Sequence, residues 1–215
     1  RYPGVFFSQF TGAELVAEKW NLSREDLDEF ALESHQKAAN ATESKYFDRE
    51  ILPVEGKNAE GINELVLADE GIRFDASLDK LAGLKPVTDG GVITAGNASQ
   101  ITDGAAAVMI CNDAGLKKIQ SNPRAEIVSI SVVGDDPVFM LTGPIPASKK
   151  ALEAAGLSID DMDLYEVNEA FAPVPLAWAH DLEADKSKLN VNGGAMALGH
   201  PLGATGAKLM TTMLH

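Results

Sequence analysis

The sequence predicts an α/β fold in which a largely parallel sheet is covered by helices. Three observations carry that reading. After Val87, short β-branched runs alternate with helical patterns, as in successive β-α-β units. Hydrophobic residues make up 45% and charged residues 23% of the 215-residue chain, a balance able to build a buried core. No apolar run approaches the roughly 18 residues of a membrane span. The longest, Ala105–Cys111 and Ala125–Val133, have the length of strands.

The elements follow in chain order. Thr11 with Glu14 three residues on reads as a capping box, so a short helix is expected over Gly12–Trp20. Ser23 opens a longer helix whose Leu27, Phe30, Ala31, Ser34 and Ala38 share one face. Tyr46–Pro86 is rich in Gly, Asn and Asp and reads as a loop-rich subdomain, with a strand at Glu50–Val54 and a short helix at Ser77–Leu84. Beyond it the pattern predicts a strand at Ala105–Cys111, a helix at Asp113–Ile119 and a strand at Ala125–Val133. A helix at Pro146–Ala155, stopped by Gly156, comes next. Asp163–Val167 and Leu189–Val191 read as strands, Glu169–Leu182 and Gly203–Leu214 as helices.

Net charge is −14, which argues against a nucleic-acid partner, since such a partner needs a basic face. The same field repels any anionic ligand, which would then need local cations or helix N-termini. The single cysteine, Cys111, makes an internal disulfide impossible and points to a reducing, cytoplasmic setting. No basic-then-apolar leader opens the chain. It starts at Arg1 and ends inside a helical pattern without a stop signal, so both ends read as cut.

Three segments could carry chemistry. Asn190–Lys208 runs from a strand through a glycine-rich loop into a helix, with His200 just ahead of that helix. A helix N-terminus disfavours protonation of a nearby imidazole, leaving it able to exchange hydrogen bonds as a neutral group. The plain alternative is tight turns around a packed histidine. A dinucleotide loop is disfavoured, because Gly199-x-x-x-Gly203-x-x-Gly206 lacks the G-x-G-x-x-G start. In Val167–Ala172, Asn168 falls at a strand end, where ligands bind α/β sheets. It is either a helix N-cap or a side-chain donor in a site, and Phe171 either core or ligand wall. Thr94–Ala105, rich in small residues, is either a close-approach loop or a plain connection with Asx and Ser turns.

Together these texts resemble the thiolase family. Asn168–Ala172 is similar to its Asn-Glu-Ala-Phe-Ala motif and Asn192–Gly206 to its Asn-Gly-Gly-Ala…Gly-His-Pro-x-Gly-x-x-Gly motif. Thr94–Ala107 resembles its Thr-Ala-Gly-Asn-Ser/Ala-Ser…Asp-Gly-Ala-Ala-Ala segment, and Gly143–Ala147 is also familial. The resemblance covers Gly12 to His215. It implies a partial thiolase-like layered αβαβα fold. The implied domains are a partial loop domain over residues 1–98, the end of the N-terminal core domain over 99–123 and a truncated C-terminal core domain over 124–215.

The implied activity is acyl transfer between coenzyme A and a cysteine, as thiolysis of a 3-ketoacyl-CoA or Claisen condensation of two acyl-CoAs. His200 would activate the nucleophile and help bind the thioester oxygen. Asn168 would position a water in the same oxyanion hole. Ser99 would contact the pantetheine arm, Met140 and Phe171 would line the tunnel, and Arg73 would lie near the nucleotide. An arginine there answers the charge problem, since it recognises phosphate by geometry as well as charge. Coenzyme A and acyl-CoA enter as substrates; no covalent cofactor and no metal are expected. The family also implies a homodimer or homotetramer in fatty acid metabolism, with no nucleic-acid or membrane partner. Similarity to bacterial acetyl-CoA acetyltransferases leans toward a short-chain substrate.

The departures bear on the same chemistry. The family nucleophile is a cysteine upstream of anything here, and its second cysteine lies in a Cys-x-Gly-Gly-Gly segment downstream of His215. Neither is in the chain, and Cys111, read as an inert buried strand cysteine, replaces neither. Val87 and Thr88 stand where an aromatic follows the Lys-Pro pair, and Ser8–Gln9 replaces a His-Met pair. The chain alone is therefore expected to be inactive, and to fold poorly with a bare edge at Ala105–Cys111. Two alternatives remain. β-Ketoacyl synthases share the fold but carry histidine where Asn168 stands and lack Gly-His-Pro. A non-catalytic thiolase-like acyl-CoA-binding protein would need neither His200 nor Asn168.

Overall fold

The structure is a computed structural model that describes residues 2–58 and 60–215. Its core is built on helices. Helix α1 spans Gln9–Lys19 and α2 Arg24–Glu43. After a 3-10 turn at Tyr46–Arg49 comes a hairpin of β1 (Val54–Lys57) and β2 (Asn63–Val66), paired antiparallel with Val54 opposite Val66. Then follow α3 (Leu78–Ala82), α4 (Asp113–Ile119), α5 (Pro144–Ala155), α6 (Pro173–Leu182), α7 (Ala195–Leu198) and α8 (Thr205–Leu214).

The periodic face of α2 explains the centre. Leu27, Phe30 and Ala31 meet Ala13, Val16 and Ala17 of α1 and Val174, Ala177 and Trp178 of α6 in one apolar cluster. Farther along α2, Ala38 and Ala41 join Phe47, Ile72, Ala197 and Leu198 in a second cluster under α7. Ser23 caps α2 as expected, in a reciprocal box with Asp26. Polar ties lock helix pairs: Trp20 Nε1 donates to Asp181 Oδ1 at 2.7 Å, and Trp178 Nε1 to Ser148 Oγ at 2.9 Å.

Several sequence expectations need correction. Helix α1 begins at Gln9, so Thr11 and Glu14 form no cap. The Glu14 carboxylate instead accepts from the backbone N–H groups of Val92 and Ile93 at 2.9–3.1 Å, because a loop crossing α1 has unpaired donors there. Glu50–Val54 is not a strand; a 3-10 turn precedes it and β1 starts at Val54. Among the described residues, Ala105–Cys111 and Ala125–Val133 carry no ladder. A strand needs a neighbour, and these runs find none among the described residues. Met109 is 78% exposed and Val132 83%, which leaves their apolar side chains in water. The expectation for Ala105–Cys111 was a strand with a bare edge; the run is instead an exposed segment without a ladder. Cys111 is exposed there, not buried. The parallel pairing survives as one bridge: Tyr165 N donates to Lys188 O, and Asn190 N to Tyr165 O, both at 2.9 Å.

Candidate active site

Two chain reversals build the site. Gly199 turns the chain between α7 and α8 at φ +81, and a β-carbon on it would overlap the Thr102 side chain. His200 follows, and its backbone N–H donates to Gln100 O at 3.2 Å. Gln100 Nε2 donates in turn to Gly71 O at 2.7 Å and Met196 O at 2.8 Å. One side chain thus staples three loops beside the histidine.

The His200 ring is half-buried. Its Nε2 lies 3.4 Å from Asn168 Nδ2 and its Nδ1 2.6 Å from Thr205 Oγ1. Burial, then the charge of Lys208, holds its pKa below the ordinary value. Asn168 does not cap a helix, because α6 begins only at Pro173 with Ala172 at its N-cap. Its amide faces the imidazole, and its Oδ1, like Thr102 Oγ1, is buried without a partner among the described residues. An unpaired buried acceptor is costly in a finished core and is a common mark of a site awaiting a donor.

Behind this pair lies a network invisible in the motif text. The fully buried Glu169 accepts from Ser34 Oγ at 2.6 Å, Asn190 Nδ2 at 2.9 Å and Met196 N at 3.1 Å. Asn190 also pairs both backbone groups of Val167 at 2.9 Å. Gly194 packs its backbone so close to the Glu169 carboxylate that a β-carbon would overlap it. Burial raises the Glu169 pKa, against the pull of those hydrogen bonds. Lys208, on α8, donates to Leu198 O at 3.0 Å; burial lowers its pKa against the attraction of Asp69, Glu50 and Glu166. Glu166 is pushed up to about 8, by burial first and then by Glu169 and Glu50.

The remaining expected residues divide. Ser99 N donates to Ala170 O at 3.0 Å, and Ala98 bridges Phe171, so Ser99 sits beside the asparagine segment. Phe171 is buried, with its ring edge-to-face on Phe10 at 5.4 Å. Met140 lies half-buried against Gly12 of α1 at φ +43. Arg73 is exposed, its backbone N–H donating to His35 Nδ1 at 3.1 Å, and its guanidinium makes no hydrogen bond to His200 or Asn168. Among the described residues no cluster of three His, Cys, Asp or Glu could hold a metal.

Comparison with known proteins adds the family. The thiolase N-terminal domain description matches residues 6–114, and the thiolase C-terminal domain description residues 121–215. The chain is 53% identical over 214 residues to the steroid 3-ketoacyl-CoA thiolase FadA6 of Mycobacterium tuberculosis, covering 100% of this chain and 51% of that protein. It is 46% identical over 208 residues to a 3-ketoacyl-CoA thiolase of Aliivibrio fischeri, covering 94% and 54%. Among solved structures, a Bacillus anthracis acetyl-CoA acetyltransferase superposes with TM-score 0.93 at 42% identity, over 99% of this chain and 54% of that one. Human mitochondrial 3-ketoacyl-CoA thiolase in complex with CoA gives 0.87 at 44%, over 95% and 51%. The chain spans about half the length of these relatives and carries about half of the fold they share.

Proposed function

The chain belongs to the thiolase family, and on that premise we propose that it supplies the histidine–asparagine half of an acyl-CoA acyltransferase centre. The observation that carries the reading is the His200 ring held 3.4 Å from the Asn168 amide at the rim of a glycine-rich turn. The nucleophilic thiol comes from chain outside these 215 residues. His200 Nε2 takes its proton, and the thiolate sulfur bonds to the 3-keto carbon of the substrate. The C2–C3 bond breaks, and negative charge gathers on the thioester oxygen of the departing acetyl-CoA enolate, where His200 and a water on Asn168 donate to it; fixed donors of this kind are usually the largest single contribution to such steps. The enolate carbon takes up the proton the thiol gave and leaves as acetyl-CoA, and the thiol of coenzyme A takes the acyl group from the cysteine sulfur and returns its own proton there. The reverse sequence is the Claisen condensation.

Coenzyme A is read as lying along Ser99, Met140 and Phe171, with Arg73 toward its phosphates. Residues 1–98 are assigned to a loop domain, 99–123 to the N-terminal core and 124–215 to the C-terminal core. A cytoplasmic location, favoured by the single cysteine, and a homo-oligomer, which rests on the family alone, complete the reading. Among the described residues no helix is long and apolar enough to cross a membrane.

The test is CoA-dependent consumption of a 3-ketoacyl-CoA by the protein expressed with its flanking coding sequence. His200→Ala or Asn168→Ala should each lower kcat roughly 100- to 10,000-fold. The 215-residue chain alone should show no turnover. Full turnover by that chain, undiminished by Cys111→Ala, would overturn these roles.

A further inference from the structure

The His200 ring has two neighbours, and together they prescribe which nitrogen carries its proton. Thr205, 6% exposed, places Oγ1 2.6 Å from Nδ1 and also 3.1 Å from Pro201 O. Its one hydroxyl proton can serve only one of them. With the proton on Pro201 O, the hydroxyl oxygen offers Nδ1 a lone pair, so Nδ1 must carry hydrogen. On the far side, Asn168 Nδ2 is a donor, so Nε2 must offer a lone pair. The opposite arrangement has Thr205 donating to Nδ1 and Nε2–H donating to a flipped Asn168 amide. That flip would bury the amide N–H group where Oδ1 now lies without a partner. Orphaned buried N–H groups are rarer than under-satisfied carbonyls, which favours the first arrangement.

We propose that Thr205 is the positioning residue that fixes His200 as the Nδ1–H tautomer, with the Nε2 lone pair turned to the Asn168 side. The inference deepens the role given to His200 and rests on it, because a base must present its lone pair where the proton arrives. Nothing else in the loop does this work. The backbone of the turn is held separately: His200 N to Gln100 O, Ala204 N and Thr205 N to Pro201 O, and Lys208 Nζ to Leu198 O. Removing the hydroxyl therefore frees the ring without freeing the loop.

The experiment is imidazole ¹⁵N NMR of the histidine-labelled protein, full length with its flanking sequence, above the pH at which its histidines titrate. His200 is assigned by its disappearance in His200→Gln. The wild type should show a protonated Nδ1 and an unprotonated Nε2. Thr205→Ser should keep that pattern, and Thr205→Val should lose it toward the Nε2–H form that a free imidazole prefers. An Nε2–H wild type, or a folded Thr205→Val with the wild-type pattern, overturns the proposal. If Thr205→Val does not fold, the wild-type and Thr205→Ser spectra decide alone: Nδ1–H in both supports it and Nε2–H in either overturns it. The readout needs no turnover, so an inactive protein with the Nδ1–H pattern would count against the proposed reaction and not against Thr205.

Discussion

Replacing Glu169 by glutamine keeps the shape of the side chain and changes one oxygen to an amide nitrogen. Oε2 accepts from Ser34 Oγ and Met196 N, and Oε1 accepts from Asn190 Nδ2. Whichever oxygen is replaced, an N–H then faces an N–H: Asn190 in one orientation, Met196 in the other. Asn190 cannot turn to relieve the clash, because its amide already pairs both backbone groups of Val167. Two buried donors without acceptors cost about 1–3 kcal/mol each, so the loss should be about 2–6 kcal/mol. For a domain of this size that lowers Tm by roughly 4–24 °C. Burial raises the Glu169 pKa, so the wild type loses stability as pH climbs above the unfolded carboxyl value. The variant lacks that loss, and its deficit should shrink toward alkaline pH. Urea unfolding followed by circular dichroism at two pH values reads both effects. A Glu169→Gln protein as stable as the wild type in mildly acidic buffer would refute the hydrogen-bond argument.

Other outcomes follow from the same geometry. The folded pKa of Glu166, about 8, lies above its unfolded 4.5. Its contribution is therefore full below the unfolded value and is lost as pH rises to about 8, a decline on the order of a few kcal/mol. Glu166→Gln should flatten the fall in unfolding free energy over that window; an unchanged slope would show that burial there costs the carboxylate little. Gly199→Ala forces φ +81 on a side chain that overlaps Thr102, and should cost about 2 kcal/mol or more by thermal melt. Leu27→Ala empties a fully buried position at the centre of the core and should cost about 2–5 kcal/mol by urea unfolding. The exposed apolar runs around Met109 and Val132 should make the 215-residue chain bind an apolar dye and melt broadly. A sharp, cooperative melt without dye binding would count against their exposure.

The helices were legible because each amphipathic face is a local property. The periodicity of Leu27, Phe30, Ala31 and Ala38 fixed α2, and the alternation after Val87 pointed to α4, α5, α6 and α8. The strands were half legible. Residue choice made Ala105–Cys111 and Ala125–Val133 strand-like, but a strand is completed by hydrogen bonds to another segment, and the described residues supply no ladder to either. The same distinction runs through the site. Glycine spacing and a strand end left His200 and Asn168 each with a plain alternative, and only the resemblance to the thiolase motifs singled them out. Only the tertiary structure decided that Asn168 faces the imidazole instead of capping α6, that Thr205 holds its other nitrogen, and that Glu169, Asn190 and Ser34 lie buried behind them. Those partners stand up to 135 positions apart in the chain, and a hydrogen bond between distant residues leaves no periodic trace in the sequence that makes it.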